Sequence, residues 1–91
     1  MSRSPRAAPR VVLLGRPNCH LCDEAREELL ALRSDGLSFE LEEVDIESDD
    51  ALLRAHLERI PVVEVEGAEV STLSFDAVAV RGALGAPTGF E

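Results

Sequence analysis

The sequence predicts an α/β domain with the element order βαβαββα and a four-stranded mixed sheet flanked by helices. Three observations predict it. The stretch VVLLG, Val11 to Gly15, is a continuous apolar run closed by Gly, as expected of a strand buried on both faces. Immediately after it the apolar period changes to that of a helix. Further on, PVVEVEGAEV, beginning at Pro61, reads as two short strands joined at Glu66-Gly67. With 91 residues the chain suffices for one hydrophobic core and not for two.

Each element follows from local pattern. Val11 to Gly15 is the expected centre of the sheet. From Cys19 to about Arg33, the residues Cys22, Ala25, Leu29 and Leu32 recur at spacings of three and four, which lines them on one helical face and leaves Asp23, Glu24, Glu27 and Glu28 outward. Asn18 is the expected cap, and Ser34-Asp35-Gly36 the stop. The next segment, LSFELEEVDI, places Phe39 and Leu41 on one side and then changes phase at Glu42-Glu43 before Val44 and Ile46. That phase change predicts a bulge or an early strand end. A strand–helix–strand connection of this length makes the first two strands parallel.

Ser48, followed by Asp49 and Asp50, reads as a helix start with acids in the first turn, and Leu52, Leu53 and Leu57 are placed to pack inward. The hairpin follows, its second strand at about Ala68 to Ser71. A last helix is expected from Ser74 or Phe75 to Gly82 or Gly85, with Phe75, Val78 and Ala79 inward. The expected organisation is a disordered leader at 1–10, a folded domain at 11–85 and a loose tail at 86–91.

Charge narrows the partners. Eighteen Asp plus Glu against nine Arg give a formal charge of −9, which repels phosphate backbones and anionic lipid headgroups. No nucleic-acid or membrane partner is expected. The first ten residues carry no acid, and the apolar run after them is too short for a signal-peptide core, so a cytoplasmic protein is expected. The acidic cluster from Glu40 to Asp50 reads as a solvated face.

The chain holds two cysteines, Cys19 and Cys22, at the mouth of the first helix. A disulfide across so small a loop contributes on the order of 2 kcal/mol, against roughly 4.7 kcal/mol for a loop of about a hundred residues. Structural zinc requires four ligands, and His20, between the thiols, is badly placed to join them on one ion. Redox chemistry fits the position better. At a helix N-terminus the unpaired N–H groups and the positive dipole end stabilise a thiolate, which makes Cys19 the expected nucleophile. Cys22, one turn into the helix on its apolar stripe, is the expected resolving thiol. Asp23 and Glu24 oppose thiolate formation, so only moderate acidification is expected. His20 either stabilises the Cys19 thiolate when protonated, as a redox-tuning residue, or points to solvent. His56, near a helix C-terminus, reads as a plain polar residue. Arg16 and Arg59 are candidates to meet substrate carboxylates.

These residues resemble the thioredoxin superfamily and, more closely, its glutaredoxin branch, because the CxxC follows the first strand almost at the N-terminus. A second landmark is RIPVV, Arg59 to Val63, with Pro at the start of the third strand. The resemblance covers about Val11 to Leu84 and implies a thioredoxin-like, glutaredoxin-type fold. It also implies that Pro61 is cis and that Ile60 offers its backbone to an extended substrate. Arg16 matches the basic residue that glutaredoxins carry three before the first Cys. Leu21 replaces their usual Tyr, and GAEVSTLSFD lacks their Gly-Gly, although Asp76 could stand in for their acid. The closest resemblance is to the small glutaredoxin-like domain family of unassigned biological role.

The expected function is thiol–disulfide oxidoreduction, with Cys19 and Cys22 catalytic, Arg16, Ile60 and Pro61 binding substrate, and no tightly bound cofactor or metal. The expected partners are a protein or small-molecule disulfide and an external reductant, either glutathione as a co-substrate or an enzyme of the thioredoxin-reductase type. A monomer is expected. Two rivals use the same cysteines differently. One is a metal or iron–sulfur module, and the other is a catalytically idle interaction domain.

Overall fold

A computed structural model describes residues 8–85. The expected tail at 86–91 lies outside the described residues, as does most of the expected leader. Four strands and three helices follow in the order β1 (Arg10–Gly15), α1 (His20–Ser34), β2 (Glu40–Asp45), α2 (Asp50–His56), β3 (Val62–Val65), β4 (Ala68–Thr72) and α3 (Ala77–Ala83), with a 3-10 turn at Ile46–Ser48. The sheet order is β2-β1-β3-β4, with β1 parallel to β2 and antiparallel to β3, and β3 antiparallel to β4.

The continuous apolar run of β1 serves both faces of this sheet. Val11 and Leu13 join Ala25, Leu29 and Leu32 of α1 in one core, with Val63, Val65 and Val80. Leu14 joins Ile46 and Val62 in a second core on the opposite face, which Leu52 and Leu53 of α2 cover. Alternation along a strand thus divides one run of apolar residues between two cores. Burying a side chain such as Leu29 contributes about 1.5–3 kcal/mol.

The expected bulge in the second strand is absent, and β2 pairs with β1 without a break from Arg10↔Glu40 to Gly15↔Asp45. The phase change at Glu42-Glu43 instead moves apolar cover from one face to the other. Leu41 packs on the α1 core, Val44 on the α2 core. The irregularity lies in β4, where the register shifts between Val63↔Ser71 and Glu64↔Glu69, leaving Val70 as the extra residue. The hairpin turn has Glu66 at φ 52° and Gly67 at φ 86°, the positive pair that suits two-residue connections.

Caps differ from expectation because a carboxylate outcompetes the neighbouring residue. Asp49, not Ser48, caps α2 by accepting from the N–H of Ala51 at 2.7 Å, while the Ser48 hydroxyl donates to the Asp45 carbonyl. Asp76 caps α3 by accepting from the N–H of Ala79 at 3.0 Å. Phe75 packs on the α1 core as expected and Val80 is buried, whereas Val78, expected inward, is exposed. Leu57, expected inward, is also exposed, because α2 ends at His56. No helix among the described residues is long and apolar enough to cross a membrane.

Candidate active site

Strand β1 ends at Gly15, and the turn Arg16-Pro17-Asn18 delivers the chain to α1. Asn18 is not the cap; it takes a left-handed conformation at φ 62°, and Cys19 itself is the N-cap. The Cys19 Sγ accepts from the N–H of Cys22 at 3.1 Å. A cysteine sulfur therefore occupies the place that a Ser or Asp oxygen takes in an ordinary cap, at the positive end of the helix dipole. The two cysteines are joined as a disulfide with a Cα–Cα separation of 5.2 Å. Cys19 is half-buried, whereas Cys22 is 3% exposed on the stripe with Ala25, Leu29 and Leu32.

Gly15 permits this burial. A Cβ at that position would stand 2.9 Å from the Cys22 Sγ and 3.1 Å from its Cβ, closer than side chains tolerate. The sequence marks Gly15 only as a strand end. Its contact with Cys22 arises when α1 folds back over β1, so no local pattern announces it.

The Ile60–Pro61 bond is cis, and Pro61 is fully buried. Because Leu14 pairs with Val62, the antiparallel register carries Pro61 level with Gly15, at the end of the sheet that holds the cysteines. The N–H of Leu73 reaches the carbonyls of Arg59 and Pro61, each at 3.0 Å, and so ties this loop to the end of β4. Among the described residues, neither the N–H nor the carbonyl of Ile60 has a hydrogen-bond partner.

Among the described residues, Arg16, His20 and Arg26 around the dithiol are all engaged, as is Arg59 before Pro61. The Arg16 guanidinium lies 2.6 Å from Glu47. The His20 Nε2 lies 2.9 Å from Glu24, one turn along α1, and the ring is solvent-exposed. Arg26 bridges Asp23 at 3.1 Å and Glu43 at 2.8 Å, which holds its pKa above the usual value. Arg59 forms a two-pronged pair with Glu69, whose carboxyl is held below its ordinary range by hydrogen bonding from that guanidinium. His56 Nδ1 stands 4.0 Å from the same carboxylate and has no hydrogen-bond partner among the described residues.

A cavity of about 250 Å³ opens between α1 and β2, lined by Gly15, Arg16, Cys22, Arg26, Glu43 and Asp45 among others. Of the residues singled out in the sequence, the structure brings Cys19, Cys22, Arg16 and Pro61 to one end of the sheet and turns His20 toward Glu24. Among the described residues, no group of three or more His, Cys, Asp or Glu side chains is placed to hold a metal ion.

The model of the glutaredoxin-like domain (DUF836) family matches residues 10–84. No curated protein sequence matches the chain. Among solved structures, that of protein Ne2328 from Nitrosomonas europaea is 28% identical, with a TM-score of 0.77 over 91% of this chain and 99% of that one. A structural-genomics target protein from X. campestris is 37% identical, with a TM-score of 0.65 over 82% of this chain and 95% of that one. A mutant thioredoxin from Halobacterium salinarum shares the fold at 15% identity, with a TM-score of 0.59 over 92% of this chain and 78% of that one.

Proposed function

The chain belongs to the glutaredoxin-like domain (DUF836) family, and from that membership and the geometry of its two cysteines we propose that it is a thiol–disulfide oxidoreductase. The observation that carries the proposal is the asymmetry of the pair. Cys19 caps the helix and is open to an incoming sulfur, while Cys22 is buried one turn behind it. In the reduced protein, the Cys19 thiolate attacks a substrate disulfide and expels one substrate sulfur as a thiolate. Cys22, deprotonated, then attacks Cys19 in the mixed disulfide and releases the second substrate sulfur, leaving the bridge seen here. Two electrons pass from the dithiol to the substrate, and an external thiol donor returns them.

Arg16, Ile60 and Pro61 border the path of the substrate in this proposal. The free backbone groups of Ile60 suit an extended chain lying alongside, with its sulfur at Cys19. His20, whose ring lies in solvent with its Nε2 on Glu24, takes no part in this proposal. Run in the reducing direction, this chemistry suits the cytoplasm, where the thiol pool is kept reduced.

The test is the thiolate titration of Cys19 in the reduced wild type and in Cys22→Ser, read by alkylation rate against pH, with the reduction potential taken from the same preparation. A pKa below the unperturbed value of about 8.5, with a reversible internal disulfide, is expected. An unperturbed thiol overturns the proposal and leaves an idle scaffold.

A further inference from the structure

Thiol–disulfide exchange requires a donor, and the charges around the pair bear on which donor the site accepts. Among the described residues, every basic side chain beside the dithiol is already matched to a carboxylate. Arg16 faces Glu47, Arg26 faces Asp23 and Glu43, and His20 faces Glu24. Around the cavity beside Cys22, the two arginines meet four carboxylates, counting Asp45 in the lining and Glu47 on Arg16. The chain as a whole carries −9. Among the described residues, an anionic donor thus finds no uncompensated cation at this end and meets a surplus of negative charge, whose field changes association rates by about tenfold or more at low salt.

We infer that the site discriminates by charge against anionic thiols, and that Glu47, by occupying Arg16, is a specificity-determining residue. The favoured partners are neutral or cationic thiols, and protein disulfides with basic flanks. This rests on the oxidoreductase reading above. The reaction that reports it is reduction of the bridge. A donor thiolate attacks the accessible Cys19 sulfur, the S–S bond breaks, and the Cys22 thiolate leaves and takes up a proton. A second donor thiolate then attacks the donor sulfur on Cys19, forming the donor disulfide and freeing Cys19. Two donor thiols are oxidised and one protein disulfide is reduced.

The experiment reduces the oxidised full-length protein with cysteamine, 2-mercaptoethanol and 2-mercaptoethanesulfonate, which differ in charge and little in size. The chain has no Trp or Tyr to report by fluorescence. Rates are therefore read by quenched alkylation and mass spectrometry, per thiolate, and normalised to each thiol's rate with an uncharged small disulfide. At low ionic strength the sulfonate is expected to react about fivefold or more slowly than cysteamine, and the spread is expected to fall below about twofold in ~0.5 M salt. Glu47→Gln is expected to raise the sulfonate-to-neutral ratio about threefold. Glu28→Gln, which removes the same charge from an exposed part of α1, should leave that ratio unchanged. Equal normalised rates for the three thiols in the wild type overturn the inference while leaving the oxidoreductase reading standing. A ratio that moves alike in both variants overturns the role of Glu47. Failure of all three thiols to reduce the bridge overturns both readings.

Discussion

At the scale of single residues, the site depends on a sulfur, a missing Cβ and a set of paired charges. Cys19 caps its own helix, so the atom that would react is also the atom that satisfies the N–H of Cys22. Gly15 is where this arrangement is most sensitive to substitution. A Cβ there would press on the Cys22 Sγ, the end of a short side chain held by Cys19 and therefore unable to swing aside. Gly15→Ala is expected to cost about 1–3 kcal/mol by denaturant unfolding of the oxidised protein, as overpacking does. An unchanged midpoint would mean that β1 and α1 do not approach as closely as they do here. Cys19, Cys22 and Pro61 stand out in the sequence because spacing and residue type mark them. Gly15 and Glu47 do not, because each acts through a residue far from it in the chain or across a fold-back.

At the scale of elements, local chemistry sets where helices begin, and it is decided by which nearby side-chain acceptor wins the free N–H groups. Ser48 and Asn18 are good cap residues by type, yet Asp49 and Cys19 hold those positions. For α2 the Asp49 carboxylate reaches two N–H groups, at 2.7 and 3.3 Å. Asp49→Ala is expected to lower stability by about 1 kcal/mol, read as a fall in Tm with little change in the Cys19 titration. A large change in that titration would show that α2 helps to position the thiols. Element β2 teaches a related point. Its broken alternation resembles a bulge in sequence, but the strand is regular and shares its two apolar residues between two cores.

At the scale of the whole molecule, long-range pairs close the structure around the site. Arg59 and Glu69 link the loop before Pro61 to β4, beside the Leu73 N–H that grips the same loop. The Glu69 carboxyl is depressed in the folded protein, chiefly by hydrogen bonding from Arg59. A depressed carboxyl contributes stability above its unfolded pKa of about 4.3 and loses that contribution as pH falls through the lower folded value. The stability difference between wild type and Glu69→Gln is therefore expected to be present near neutrality and to shrink on acidification below about pH 4. Urea melts at several pH values check this, and a difference that grows on acidification would contradict the pairing. The sequence by itself determined the element order, the helical stripe that buries Cys22 and the position of Cys19 at a helix mouth, because these depend on periods and spacings within one turn or one strand. Only the tertiary structure decided that Gly15 makes room for Cys22, that Glu47 occupies Arg16 and that Glu69 holds Arg59. Those partners meet through the strand order β2-β1-β3-β4, the fold-back of α1 and the turn after β2, and pairing across a sheet leaves no periodic trace in the chain.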